Sequence, residues 1–207
     1  MRNFSILLVL IMALSVGMIG CAKKSPMQNL GPAGINETVN LDESVIVFFV
    51  PANQLRLHIP IVETDEVGNL SLVTILVPGT KYLHRTTPGK HLYFLSTVRG
   101  RSEMLEANVE AGKAYYTYVS QHPDSRGSDP EYFHAFQFVP VSKITEESFR
   151  EDFALCQWFK NARLTEEWFE RNRPDLQKRY IEAQTRHKEA GSQKVIAPEY
   201  GTATLVQ

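Results

Sequence analysis

Ser44-Val45-Ile46-Val47-Phe48-Phe49-Val50 decides the fold. From Val45 onward the run is unbroken β-branched and aromatic residues, with no polar face to turn toward water. That is the pattern of a strand covered on both sides. Pro51-Ala52-Asn53 ends it. Beyond the break, Leu55, Leu57, Ile59 and Ile61 alternate with Arg56, His58 and Pro60, the period of a half-buried strand. Pro60 cannot donate to a ladder, so the pattern predicts an edge strand there. Residues 65–69, containing Gly68-Asn69, read as a turn, and residues 70–77 as another apolar strand stopped by Pro78-Gly79.

The same alternation of short strands and turn residues continues downstream. Residues 82–85 form a short strand before Thr87-Pro88-Gly89-Lys90, a turn with Pro and Gly in type II order. Residues 91–98 follow as a strand, and residues 99–102 as a polar turn. Strands at 104–109 and 114–119 flank Glu110-Ala111-Gly112-Lys113, read as a hairpin turn, and a strand at 132–139 closes the series. Gly89 and Gly112 are expected to supply positive φ. Tyr115 and Tyr116 must point to opposite faces, one into the core and one outside. About seven or eight strands at this spacing predict an antiparallel immunoglobulin- or transthyretin-like β-sandwich over residues 43–140.

A helical region is expected over residues 141–190. Thr145 can N-cap a helix with Phe149, Phe153, Cys156 and Phe159 on one stripe. Thr165-Glu166-Glu167-Trp168-Phe169 looks like a second helix start, and Pro174 suits the opening of a third. Residues 191–207 carry no regular pattern and read as a disordered tail.

Composition is that of an ordinary folded chain: 43% apolar and 22% charged, with 11 Phe and 8 Tyr to fill a β-rich core. A net charge of -1 gives no field for attracting nucleic acid, and that class of partner is set aside. The chain has 2 Cys, Cys21 and Cys156. Cys156 lies in Phe153-Ala154-Leu155-Cys156-Gln157-Trp158, the setting of a small buried hydrophobe more than of a reactive thiol.

Arg2 is followed by an apolar run over residues 4–19, short for a bilayer span and interrupted by Ser5, Ser15 and Gly17. It ends in Met18-Ile19-Gly20-Cys21, which resembles the lipobox of bacterial lipoproteins. That resemblance implies residues 1–20 as a signal peptide, cleavage before Cys21, and diacylglycerol on the Cys21 thiol. Each buried methylene contributes about 0.8 kcal/mol, so two or three chains hold a protein where one binds reversibly. An uncleaved signal anchor and an ordinary secretory signal are the alternatives. The resemblance places the chain in the cell envelope, membrane-attached through Cys21. Ala22 points to the periplasmic side of the outer membrane in a Gram-negative host. Residues 21–42, punctuated by Pro26, Gly31, Pro32 and Gly34, read as a flexible tether with a reach of roughly 25 Å. The sequon Asn36-Glu37-Thr38 is read as chance.

Thr87-Pro88-Gly89-Lys90-His91 and the later Val109-Glu110-Ala111-Gly112-Lys113-Ala114-Tyr115-Tyr116 form a recognisable pair. Together they resemble an uncharacterised domain family of small bacterial lipoproteins with Pro-Gly-x-His and Gly-Lys-x-Tyr-Tyr motifs. More distantly they are similar to PEGA and other transthyretin-like modules. The resemblance spans residues 44–120, and Val50-Pro51 stands where the family usually has Arg. It implies a β fold and no established activity.

Chemistry-bearing residues are few. His58, His84, His91 and His134 fall on expected strands, and His84 and His91 could meet across the Pro88-Gly89 turn. A metal there would need an Asp or Glu as third ligand, and spacing names none. Zinc-type spacing, a Gly-x-Ser-x-Gly elbow and a phosphate-cradling glycine loop are all missing from the sequence. Asp124-Ser125-Arg126-Gly127-Ser128-Asp129 lacks the third-position ligand and terminal Glu of a calcium loop. No catalytic, metal or cofactor residue is assigned; Cys21 is the one site. The stripe Phe149, Phe153, Phe159, Trp168 and Phe169 reads first as helix packing on the sandwich and second as a docking groove. The expected function is a non-enzymatic binding or structural module with an envelope protein or glycan partner. The alternatives are a hydrolase with a site between strands and helices, and a binder of lipid or hydrophobic ligands.

Overall fold

The computed structural model describes residues 27–31, 38–54, 57–96, 102–121, 136–142, 145–190 and 194–206. Cys21, His134, the sequon at Asn36 and the loop 124–129 lie outside the described residues. The strands are β1 (Met27–Gly31), β2 (Ser44–Val50), β3 (Ile59–Thr64), β4 (Leu70–Leu76), β5 (Thr80–Thr86) and β6 (Gly89–Leu95). They continue with β7 (Glu103–Val109), β8 (Lys113–Gln121), β9 (Phe136–Pro140), β10 (Gln157–Asn161) and β11 (Lys194–Ile196). Helix α1 spans Glu147–Leu155 and helix α2 spans Arg163–Ala190.

A 6-stranded sheet in the order β1-β10-β5-β2-β8-β9 faces a 5-stranded sheet in the order β11-β7-β6-β3-β4. The core between them takes Ile46, Phe48 and Tyr115 from the first sheet, and Ile61, Tyr93 and Leu105 from the second. Every residue of β2 is buried, as its unbroken apolar run requires: Ile46 and Phe48 face the other sheet, while Val47 and Phe49 face α1. Helix α2 covers the outer face of the 5-stranded sheet, where Phe169, Leu176, Tyr180 and Ala183 pack on Val62, Leu70 and Phe94.

The sheets are mixed, which corrects the all-antiparallel expectation. β2 runs parallel to β8, β10 parallel to β5, and β11 parallel to β7. The cause lies in the turns. Thr87-Pro88 and Glu110–Gly112 were expected to close hairpins, but each carries the chain from one sheet to the other. Gly89 (φ 135°) and Gly112 (φ 72°) do take the left-handed backbone those turns need. β3 is an interior strand rather than an edge. Its Pro60 stands opposite Ile75 of β4, but its carbonyl accepts from the Ser96 amide on the β6 side, so the missing N–H faces the margin of the β6 pairing, which starts at Ile61, and leaves the β3–β4 ladder whole. Tyr116 is on the face opposite Tyr115 but is buried too, under Phe149 and Phe153.

The region after residue 140 departs further from expectation. Phe159 lies on β10, not on a helix, because α1 stops at Leu155 and Cys156 is already extended. The expected second and third helices are one 28-residue helix with Pro174 inside it. Packing of Phe169 before the proline and Leu176 and Tyr180 after it holds both halves on one sheet.

The expected tether and tail also contain ordered pieces. Met27, 5% exposed, opens β1, which pairs with β10. β11 pairs with β7, and Ile196 (1% exposed) joins the central core. Thr202 and Ala114 exchange backbone hydrogen bonds at 2.9 and 2.8 Å, and the Val206 amide donates to the Tyr116 hydroxyl at 2.7 Å. These are short tertiary contacts with no period for a sequence to display. Gly201 is their tightest point: a Cβ there would sit 2.7 Å from Tyr115 Cζ. Gly201→Ala is expected to cost about 2 kcal/mol through overpacking, read by urea denaturation, with faster proteolysis of the last ten or so residues.

Candidate functional site

Glu63 supplies the partner that spacing could not name for His84 and His91. β3 and β6 pair so that Glu63 stands opposite Tyr93, two residues from His91. β5, in the other sheet, places His84 opposite Ile46 on the inward face. The two histidines therefore meet across the gap between sheets, with the carboxylate between them. His91 Nδ1 lies 2.6 Å from Glu63 Oε1, and His84 Nε2 lies 3.5 Å from Glu63 Oε2. Tyr93 forms the floor, stacked against His91 at 6.2 Å and edge-on to His84 at 5.8 Å.

The proton inventory follows from the acceptors. His91 Nε2 lies 2.7 Å from the Thr87 carbonyl oxygen, which can only accept, so Nε2 carries a hydrogen. Its Nδ1 faces a carboxylate, which accepts as well. Both nitrogens face acceptors, an arrangement that favours the imidazolium, and the His91 pKa is raised chiefly by the hydrogen bond to Glu63. Burial pushes the Glu63 carboxyl up, but the two histidines beside it, His91 in hydrogen-bond contact and His84 at 3.5 Å, outweigh it and bring the pKa down to about 2. A doubly donating His91 has no lone pair for a metal. Among the described residues, no group of three or more His, Cys, Asp or Glu side chains is arranged to hold one.

Beside this cluster opens a cleft of about 640 Å³. Asp65, Glu66, Lys90, Glu106, Asn108 and Val195 line it, and Glu63 and His91 border it. Asp65 is held in place by the Asn69 and Val67 amides at 2.8 and 3.1 Å, and Glu106 by His187 at 3.2 Å. Glu66 and Lys90 are exposed at the cleft. Carboxylates outnumber cations there, so the cleft suits a ligand with amine or hydroxyl donors.

A second cluster, invisible in the sequence, surrounds Lys81. This lysine is 4% exposed; its Nζ donates to the Phe153 carbonyl at 3.0 Å and sits 3.9 Å from the Phe153 ring centre and 4.8 Å from that of Trp158. Burial pulls its pKa down. Cys156 is buried beside it, donating toward the Val50 and Asp152 carbonyls at 3.3 and 3.2 Å. Burial pushes that thiol up to about 12, so at neutral pH it is no nucleophile. The aromatic stripe is packing: Phe149, Phe153 and Phe169 are buried, the first two on the 6-stranded sheet and the third on the other. His58 is exposed just before β3, away from the His84–His91 pair.

Two signals could have revealed these groups. Val62-Glu63-Thr64 belongs to β3, so ending the strand at Ile61 hid Glu63. Lys81 is the second residue of β5, just past the Gly79 turn, where a lone cation is ordinarily read as solvated. No described helix is long and apolar enough to cross a membrane. No family model matches this chain, and no curated protein matches it in sequence.

Proposed function

We propose that this chain is a lipoprotein of the bacterial cell envelope, anchored through lipid on Cys21, whose two-sheet body binds or braces a protein or glycan partner without catalysing a reaction. The anchor reading rests on the apolar run and Met18-Ile19-Gly20-Cys21. Outer-membrane attachment facing the periplasm goes with Ala22, and kinship with transthyretin- and immunoglobulin-like modules with the Pro88-Gly89 and Gly112-Lys113 turns. The observation that carries the binding reading is the cleft beside Glu63. It is open, sets carboxylates and Lys90 on a largely apolar wall, and is built on β3, β6, β7 and the 65–69 turn, yet His91 has both nitrogens engaged, and the buried Cys156 and Lys81 lie under α1 instead. A recess that sets charged and amide groups beside apolar surface is suited to recognition.

The test places a photo-crosslinking residue at Asn108, in the cleft, or at Ala52, exposed at the far end of the sheets, in the full chain in native envelopes. A discrete adduct at position 108 and none at 52 is the expected result. Equal labelling at both positions, or none at either, overturns the binding reading. Loss of palmitate incorporation in Cys21→Ser tests the anchor separately.

A further inference from the structure

The described fold begins at Met27, so only residues 22–26 separate it from Cys21. Where the chain leaves the body follows from strand direction. β5 and β10 run parallel, and β1 runs against β10 with Met27 opposite Asn161, the last residue of β10. β1 therefore starts at the end of the body where β5 finishes. At that same end β5 passes to β6 through Thr87-Pro88, β7 passes to β8 through Glu110–Gly112, and β2 begins at Ser44. The turn 65–69 belongs to this end as well, because Thr64 pairs with Leu92 and Asp65 and Glu66 share a cleft with Lys90.

Among the described residues, the two most exposed large apolar side chains lie beside or on these turns. Leu41 is 90% exposed beside the Gly112 turn, and Val67 is 83% exposed at the tip of 65–69. Six Cα steps from Cys21 to Met27 reach about 21 Å fully extended, and about 14 Å on average. One headgroup layer is itself roughly 5–7 Å deep. A leash of that length keeps the body within about 14 Å of the headgroups at full extension and about 8 Å on average, and the end it leaves from is the end held nearest the membrane.

We infer that the turn end carrying Leu41 and Val67 is a membrane-contacting face, resting on the headgroups of the bilayer that holds Cys21. This rests on the lipidation reading above. Charge fits a zwitterionic surface rather than an anionic one. Asp42, Glu43, Asp65, Glu66 and Glu110 on this end are matched by Arg85, Lys90 and Lys113 together with Lys23 and Lys24 on the leash. The contact is thus apolar and insensitive to salt. The cleft, with Asp65, Glu66 and Lys90 at its rim, then opens close to the membrane surface, within reach of partners that lie along it.

The experiment uses the full acylated chain in phosphatidylethanolamine–phosphatidylcholine vesicles carrying a headgroup-region quencher. A fluorophore is attached at Leu41→Cys, Val67→Cys or Leu155→Cys; Leu155 is 70% exposed just before β10 begins, at the other end. Quenching at 41 and 67 is expected to exceed that at 155 by about threefold or more and to persist in high salt. Equal quenching at all three positions, in protein whose intact mass carries the acyl chains, overturns the orientation and leaves the anchor standing. Protection of the labels at 41 and 67 from lipid and aqueous quenchers alike assigns the face to a protein partner and overturns it too. A mass without acyl chains overturns the anchor first and this inference with it.

Discussion

Phe153→Ala is expected to lower the unfolding free energy by about 4 kcal/mol, the middle of the usual range for emptying a buried phenylalanine site. The ring is 1% exposed and is ringed by aromatics: Phe49 at 5.4 Å, Tyr116 at 5.6 Å, Phe149 at 5.3 Å and Trp158 at 6.0 Å. Three of these contacts are edge-on, the arrangement in which aromatic pairs contribute beyond their buried area. Such a pocket is walled by rings on three strands and α1 and cannot collapse into the space left behind. Lys81 raises the effect further, because its ammonium lies over the same ring in a site where burial already disfavours the charge. Leu155→Ala, two residues away but 70% exposed, is the control and should stay within about 0.5 kcal/mol of the parent. Guanidinium denaturation of both variants checks the pair. A loss under about 1 kcal/mol for Phe153→Ala would mean that α1 is only loosely docked, and the aromatic stripe would return as a candidate groove for a hydrophobic ligand.

How much of this was legible depends on whether the information is local. Burial on both faces of β2 was readable because Val45 to Val50 leaves no polar alternative, and the positive φ of Gly89 and Gly112 because turn chemistry is written in single residues. Which sheet receives the chain after a turn is not local. Thr87-Pro88 reverses the backbone equally well inside one sheet or between two, so the sequence pattern led to hairpins and an antiparallel sandwich where the sheets are mixed. Phe159 fits a helical stripe by spacing, but β10 gains a place between β1 and β5 that no spacing encodes. Pro174 looked like a helix start because proline is most at home there. Tertiary packing on Val62 and Phe94 outweighs that propensity over a 28-residue helix. Glu63 was missed for a related reason. Its meaning comes from His84 on another sheet, 21 positions away along the chain and 3.5 Å away in space.

Glu63→Gln is expected to cost about 3 kcal/mol near pH 5.5 and to remove most of the pH dependence of folding on both sides of the optimum. The size follows from the fall of the carboxyl pKa from 4.5 to about 2, at 1.36 kcal/mol for each unit, with some discount because the side chain is 26% exposed. A carboxyl held below its unfolded value stabilises the fold fully above pH 4.5, and that contribution drains away as pH falls toward 2. His91 works in the opposite sense. Its pKa is raised above 6.5, so its share is fully present below that pH and is lost as pH rises through the folded value. The two limbs enclose a plateau between about pH 4.5 and 6.5, set by one ion pair titrating from each side. Glutamine keeps the shape of Glu63 and can accept a hydrogen bond from His91 Nδ1, so what disappears is the charge. Melting temperature followed from pH 2 to 9 should therefore show a dome for the parent and a flatter profile for Glu63→Gln. His91→Gln should lose the alkaline limb while keeping part of the acid one through His84. A dome of unchanged height and width in Glu63→Gln would show that the coupling across the sheets is carried by groups other than this carboxylate. His84 and Tyr93 would then be packing partners alone.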